Sequence, residues 1–196
     1  MLEKKLQNYT IVLASSSNGR NFLLSLLKIP FKVITSDIDE ESINPKDPKE
    51  LVLKRAQAKG KSVEKKLPKN KNCLIIAADS MAFLNNKPYG KAKDEKEAIR
   101  FLSDLSGKTH QFLTGTWIKD TKSKKVWNNI SESFVTIRKL SNKEIRRYSR
   151  YDNLTKYAGA YSIFNSPQDF VTKIEGSITN VIGLPLEILL PIINPT

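Results

Sequence analysis

The side chains best placed to do chemistry are acids and bases at the ends of apolar runs. Asp79 follows the continuous apolar stretch 73–78, where a parallel-type sheet delivers side chains to its ligand crevice. An unpaired carboxylate there is costly, so it needs partners or a task; the plainer alternative is an N-cap or turn acid bonded to local amides. Glu40, in the acidic loop Asp37-Ile38-Asp39-Glu40-Glu41, could share a metal ion with Asp79, or be a solvated loop charge. Lys59 lies on the helix after that loop, and Lys91 follows the turn Asn85-Asn86-Lys87-Pro88-Tyr89-Gly90; either alone reads as surface charge. Arg20 sits where a guanidinium could fork onto a phosphate, with a surface ion pair as the alternative. Ser15-Ser16-Ser17 offers free backbone amides as an anion nest, or a helix N-cap. Together these residues suit an anionic phosphate ester. A divalent ion on one or two carboxylates would activate water, and Lys and Arg would stabilise the developing charge.

Other chemistries are struck out by the inventory. None of the 8 glycines falls in a G-x-G-x-x-G or G-x-x-x-x-G-K-[ST] spacing, so those dinucleotide and P-loop cradles are absent. The single histidine, His110, lies at the start of a strand pattern; it reads as structural, its ring bonded to a neighbouring backbone group. The single cysteine, Cys73, opens the apolar run and reads as core; it excludes an internal disulfide and a zinc site of two or more thiolates. Any metal is therefore hard and oxygen-ligated, Mg²⁺ or Mn²⁺.

The elements that must position these residues alternate between strand and helix. Residues 9–14 form a short apolar run into the serine turn, followed by Phe22, Leu23, Leu26 and Leu27 at helical spacing. Residues 31–36 read as a strand. Asp47-Pro48-Lys49-Glu50 starts a helix with an acid N-cap and Pro at the first position, running toward Leu67 with Leu51, Ala58 and Val63 on its apolar side. The run 73–78, ending at Asp79, is a buried central strand. Asp94 and Glu97 cap a helix through Ala98, Phe101, Leu102 and Leu105, ended by Gly107. Residues 109–118 and 126–137 alternate as a long antiparallel pair. Ser141 with Glu144 is a capping box for a helix to about Tyr151, residues 170–174 are a last strand, and Pro185 opens a C-terminal helix. The predicted fold is a single α/β domain over residues 1–196, with a mixed central sheet and flanking helices.

The 196 residues carry 33 Lys+Arg against 20 Asp+Glu, a net charge of +13. The excess is mostly Lys, a point charge suited to solvated surfaces, rather than Arg. The densest stretch, residues 54–71, holds eight Lys or Arg and one acid. It admits a nucleic-acid footprint, but a solvated helix face is favoured, which disfavours nucleic acid as partner. No apolar run approaches the ~20 residues of a membrane span. The opening string Met1-Leu2-Glu3-Lys4-Lys5-Leu6 leads into a run too short for a signal-peptide core. No membrane association and a cytoplasmic location are expected.

Five collinear strings resemble the Maf family of nucleoside triphosphate pyrophosphatases: Leu13-Ala14-Ser15-Ser16-Ser17-Asn18-Gly19-Arg20 with Leu23-Leu24; Ala78-Asp79-Ser80; Gly90-Lys91 with Ala98 and Leu102 through Leu105-Ser106-Gly107-Lys108-Thr109-His110; Ala158-Gly159-Ala160-Tyr161-Ser162-Ile163; and Gly176-Ser177 to Val181-Ile182-Gly183-Leu184-Pro185-Leu186. The resemblance implies an inosine-triphosphate-pyrophosphatase-like fold, two lobes around a cleft, and metal-dependent cleavage of a nucleoside triphosphate between its α- and β-phosphates to clear non-preferred or modified nucleotides. It implies Asp79 as proton acceptor or metal ligand with Glu40 beside it, and Ser15, Arg20, Lys59 and Lys91 on the phosphates. A link to cell-division arrest belongs to the family, and a homodimer is left open.

The chain departs from the family at three positions tied to base preference. Asn18-Gly19-Arg20 stands where Pro-Arg-Arg or Pro-Trp-Arg is usual, Ser80 where Thr or Gln is common, and Phe164 where the pyrimidine-preferring branch has Gln. Phe164 could stack on a base or pack in the core, and the preferred base stays open. Two other readings remain: a basic nucleic-acid-binding regulator with a vestigial nucleotide site, and a metal-independent nucleotide-binding module.

Overall fold

The computed structural model describes residues 9–151, 153–164, 167 and 169–194; the opening string Met1 to Leu6 lies outside them. Among the described residues the strands are β1 (Thr10–Leu13), β2 (Phe31–Val33), β3 (Cys73–Leu84), β4 (Lys87–Tyr89), β5 (Thr109–Asp120), β6 (Val126–Ile137) and β7 (Val171–Glu175). The helices are α1 (Asn18–Ser25), α2 (Pro48–Lys66), α3 (Glu95–Leu105), α4 (Asn142–Tyr151), α5 (Ile178–Ile182) and α6 (Leu186–Ile193), with a 3₁₀ turn at Leu154–Lys156. The sheet order is β2-β1-β3-β5-β6-β7, with β4 folded back onto β3. β1 pairs in parallel with β2 and β3, and the remaining pairings are antiparallel, so the mixed α/β architecture expected from the sequence is observed.

β3 organises this sheet. Its first residues, Cys73–Ile76, pair with β1 on one side, while β5 pairs with it from Leu74 to Phe83 on the other. The strand therefore does not end at Asp79 as the apolar run suggested. It runs 12 residues to Leu84, where Asn85 and Asn86, at φ 51° and 61°, turn the chain into β4. Asp79 instead sits mid-strand, just beyond the point where β1 leaves. Alternation along β3 sends Cys73, Ile75 and Ala77 into the core beneath α2 with Val12, Ala56, Val63 and Trp117. Leu74, Ile76 and Ala78 face the opposite way, under Leu23, Leu24, Leu189 and Ile193 of α1 and α6. Ala82 on that same face lies in a separate core with Phe101, Leu105, Ile145 and Tyr148 of α3 and α4. The two cores flank Ser80.

Several boundaries differ from the sequence reading for local reasons. β2 stops at Val33 rather than Ser36 because β1 runs out at Leu13, whose carbonyl takes the last bond, from Ile34. In α1 the buried residues are Arg20, Leu23 and Leu24, while Phe22 and Leu26 are 46% and 53% exposed. Phe22 and Leu26, four residues apart, share a stripe that faces outward, while Leu23 and the half-buried Leu27 share the neighbouring stripe that packs on the core. On α2 the buried face comprises Leu51, Val52, Ala56, Lys59, Gly60 and Val63, and Ala58 lies at its margin. The last strand is shifted by one residue, and β4, α5 and the 3₁₀ turn were not anticipated. The caps are as read: Asp47, Asp94 and Ser141 each accept from the backbone N–H three residues on.

His110 is buried, but its partner is a side chain, not the backbone: Nε2 lies 2.9 Å from the Tyr161 hydroxyl. Burial pushes the ring down to about 4, so it is neutral in the folded protein, while the unfolded chain protonates it near 6.5. The unfolded state thus takes up the extra proton between those values. The resulting stability is complete above pH 6.5 and falls by about 3 kcal/mol as pH drops through the window. Urea unfolding at pH 7 and pH 5 is expected to differ by about 2 kcal/mol, the part of this loss that falls between them, with His110→Gln flattening it. Parallel pH profiles for the two proteins would rule the effect out.

Candidate active site

Two packing constraints create the site. The first is the departure of β1, which leaves the edge of β3 open at Asp79 and Ser80. The second is the height of α2 above the sheet. A Cβ at Gly115, the β5 partner of Asp79, would lie 2.5 Å from the Val52 backbone, and one at Gly60 would lie 2.0 Å from the Trp117 ring. Glycine at both points lets the helix approach closely enough for a lysine to reach the strand.

One flank of α2 meets the acidic loop through residues spaced along one side of the helix. Arg55 Nε donates to the Ile43 carbonyl at 3.1 Å, Lys59 pairs with Glu40 at 3.0 Å, and Ser62 Oγ accepts from Asp37 N at 3.3 Å. Lys66 Nζ donates to the Thr35 carbonyl and pairs with Asp37. Three of the eight bases in residues 54–71, Arg55, Lys59 and Lys66, are thus occupied in holding a loop.

Lys59 is the hinge between loop and strand. Its ammonium lies 2.5 Å from Asp79 Oδ1 as well as against Glu40, and both Lys59 and Asp79 are buried, at 7% and 4% exposed. Asp79 Oδ2 is buried with no protein partner. Glu40 is half-exposed. Burial pushes its carboxyl up, but the charge and hydrogen bond of Lys59, then the charges of Lys91 and Arg55, outweigh this and hold it below its ordinary value.

Arg20 forms the opposite wall, reaching across from α1. Nε donates to the Gly183 carbonyl at 2.9 Å, Nη1 to Ser15 Oγ at 3.0 Å and Nη2 to Ser80 Oγ at 3.0 Å. Burial lowers its pKa, partly offset by the charges of Asp79 and Glu40. Ser80 Oγ also bonds the Thr114 hydroxyl at 2.9 Å. Ser17 is the N-cap of α1, its side chain accepting from Arg20 N, so the serine turn acts as a cap. Lys91 lies at the rim, where its segment bridges to Ala158 and Gly159 N donates to the Tyr89 and Gly90 carbonyls. Burial lowers the Lys91 ammonium, and the charges of Lys59 and Arg20 push the same way against those of Glu40 and Asp79.

These groups face one cleft of about 540 Å³, a volume suited to a small-molecule ligand. Glu40, Lys59, Asp79, Arg20 and Lys91 line it together, as do Gly19, Ser80 and Phe164. Ser15 does not line it; it lies behind Arg20 as an acceptor. Phe164 is 54% exposed, which removes core packing as its role. Arg55, Lys156, Tyr157 and Tyr161 also line the cleft and were not singled out in the sequence. Arg55 was detectable as the residue one helical turn before Lys59; Lys156 and Tyr157 carry no such signal. Asp79 Oδ2 and Glu40 are oxygens a cation could take. No cluster of three His, Cys, Asp or Glu occurs among the described residues, so the donors fit a hard ion completed by water and substrate oxygens.

Lys59→Met leaves a buried carboxylate uncompensated and is expected to cost about 3 kcal/mol in urea unfolding. Adding Asp79→Leu should recover much of that loss, because the unpaired charge is gone. Additive losses would contradict the coupling.

The Maf-like protein family model matches residues 10–195. A dTTP/UTP pyrophosphatase of Treponema denticola is 37% identical over 195 residues, covering 95% of this chain and 96% of that one. One of Clostridium botulinum is 39% identical over 177 residues, covering 90% and 91%, and one of Dictyoglomus turgidum is 36% identical over 185 residues, covering 94% of each. Among solved structures, the Staphylococcus aureus Ham1 protein aligns over 65% of this chain and 71% of its own, with a TM-score of 0.42 and 18% identity.

Proposed function

The chain belongs to the Maf family, and from that premise we propose that it is a nucleoside triphosphate pyrophosphatase, cleaving between the α- and β-phosphates to give the monophosphate and pyrophosphate. Full-length similarity to proteins named dTTP/UTP pyrophosphatases supports the reaction. The observation that carries it is the cleft itself: a buried acid with one oxygen free, ringed by Lys59, Arg20 and Lys91. Clearance of non-preferred nucleotides in the cytoplasm is the role this implies. No helix among the described residues is long and apolar enough to cross a membrane.

In this mechanism the cations bind and the acid acts. Arg20, fixed by Gly183, Ser15 and Ser80, has N–H groups left to donate to phosphate oxygens. Lys91 at the rim and Lys59 on the floor supply positive charge where the pyrophosphate leaving group gathers negative charge. Asp79 uses Oδ1 to hold Lys59, and its free Oδ2 takes the proton of the attacking water. Glu40 would hold a Mg²⁺ or Mn²⁺ ion with substrate oxygens, Asp79 joining it where Oδ2 serves as ligand instead of base; when bound the ion neutralises phosphate charge and polarises water. Glu40, held to Lys59 and kept ionised by it, also fixes the loop against the site. Gly19, Ser80 and Phe164 would form the base side of the cleft.

Release of pyrophosphate over a panel of nucleoside triphosphates with Mg²⁺ or Mn²⁺ tests this reading. Turnover of at least one triphosphate is expected, and none on any would overturn it. The alkaline limb supplies a second check. Because the folded-state pKa of Lys91 is lowered, its charge is lost at a lower pH than an ordinary lysine's. As pH rises, kcat/KM is expected to fall early on the alkaline side, and Lys91→Arg should move that fall to higher pH. An unmoved limb would remove Lys91 from phosphate binding.

A further inference from the structure

One contact at the mouth of the cleft has no part in the chemistry above. Phe22 of α1 and Phe164 are 46% and 54% exposed, yet their rings meet edge to face, with centroids 5.0 Å apart and planes at 75°. Neither ring is held by core burial, so each orders the other. Phe164 lines the cleft, and its backbone N–H donates to Ser162 Oγ at 3.2 Å, which fixes the loop that carries it. Gly19, one helical turn before Phe22 and on the same side of α1, lines the cleft too. A Cβ there would lie 2.9 Å from the Ile182 carbonyl oxygen, so a larger residue would need that backbone to move. The Ser80 hydroxyl is engaged by Arg20 and Thr114. Ile163, next to Phe164 in the chain, and Ile182, which packs against Gly19, also line the cleft. The cleft thus joins a group of cations to an apolar wall with an aromatic ring at its edge, matching the two halves of a nucleotide.

We propose that Phe164 is a stacking surface for the nucleobase and that Phe22 is the positioning residue that holds its ring in place. This rests on the nucleotide reading of the cleft. A π-face stacks on any base, and neither Gly19 nor the engaged Ser80 brings a free side-chain hydrogen bond to a base edge. This wall therefore supports purines and pyrimidines alike, and discrimination between them has to come from elsewhere.

The test is binding of α,β-methylene UTP and α,β-methylene ATP, measured by calorimetry beside tripolyphosphate, which has charge but no base. Phe164→Ala is expected to weaken both nucleotides about tenfold. Phe22→Ala should weaken them about threefold, and Phe22→Tyr, which keeps the ring, should restore them. Tripolyphosphate affinity should be unchanged throughout, as should the thermal unfolding midpoint, since both side chains are exposed. Unchanged nucleotide affinity in both alanine variants overturns the inference while leaving the pyrophosphatase reading intact. So does a loss of tripolyphosphate in step with the nucleotides, which would mean the whole cleft had deformed. A wild type that binds no nucleotide overturns the inference and the nucleotide reading together.

Discussion

The whole site turns on the burial of one ion pair, Lys59 with Asp79. A carboxylate 4% exposed in the middle of a sheet is tolerable only with a counter-charge, and removing either partner would leave the other stranded. This constrains three elements. β1 must leave early, so that the edge of β3 is open beside the acid. α2 must lie close, which Gly60 and Gly115 permit. The acidic loop must fold back, so that Glu40 shares the same ammonium. The pair satisfies only one oxygen of Asp79. The availability of the other in a cation-lined cleft is what makes the place the candidate site.

The two faces of β3 divide the labour. Asp79 points toward α2 and meets the groups suited to water activation. Ser80 points to the opposite face, where Arg20 and Thr114 engage it between two separate apolar cores. Adjacent residues of one strand thus serve opposite layers, because side chains alternate across a sheet. The cleft wraps the open edge between them, so a ligand bound there contacts α1, α2, β3 and the loop after the 3₁₀ turn at once. That spread explains why the recognisable strings are scattered from Leu13 to Leu186 although their side chains converge.

Much of this was legible in the sequence, and unevenly. The caps at Asp47, Asp94 and Ser141 are local hydrogen-bond chemistry, so three residues sufficed to place each helix start. The 109–118 and 126–137 pair was clear because alternation is strong there. Asp79, Glu40, Lys59, Lys91 and Arg20 were picked from their neighbourhoods, and all five line one cleft. The failures came where tertiary partners decide. The end of β2 depends on where β1 stops, the end of β3 on its pairing with β5, and the buried side of α2 on which residues pack against β3 and β5. The His110–Tyr161 contact joins residues 51 apart in the chain, and the Phe22–Phe164 contact joins two apolar residues that no spacing rule relates. The charge excess misled in isolation: Arg55, Lys59 and Lys66 look like a surface run and in fact anchor a loop.

The most direct measurement separates binding from chemistry at Asp79. Pyrophosphate formation and the affinity for α,β-methylene UTP would be measured on Asp79→Asn, which keeps the shape of the side chain. If Asp79 takes the proton of the attacking water, kcat falls by about 10²–10⁴ while the analogue binds as well or better, since a negative charge facing the triphosphate is gone. A variant that retains kcat, or whose whole defect lies in binding the analogue, would contradict the assignment of Asp79 as the acting group.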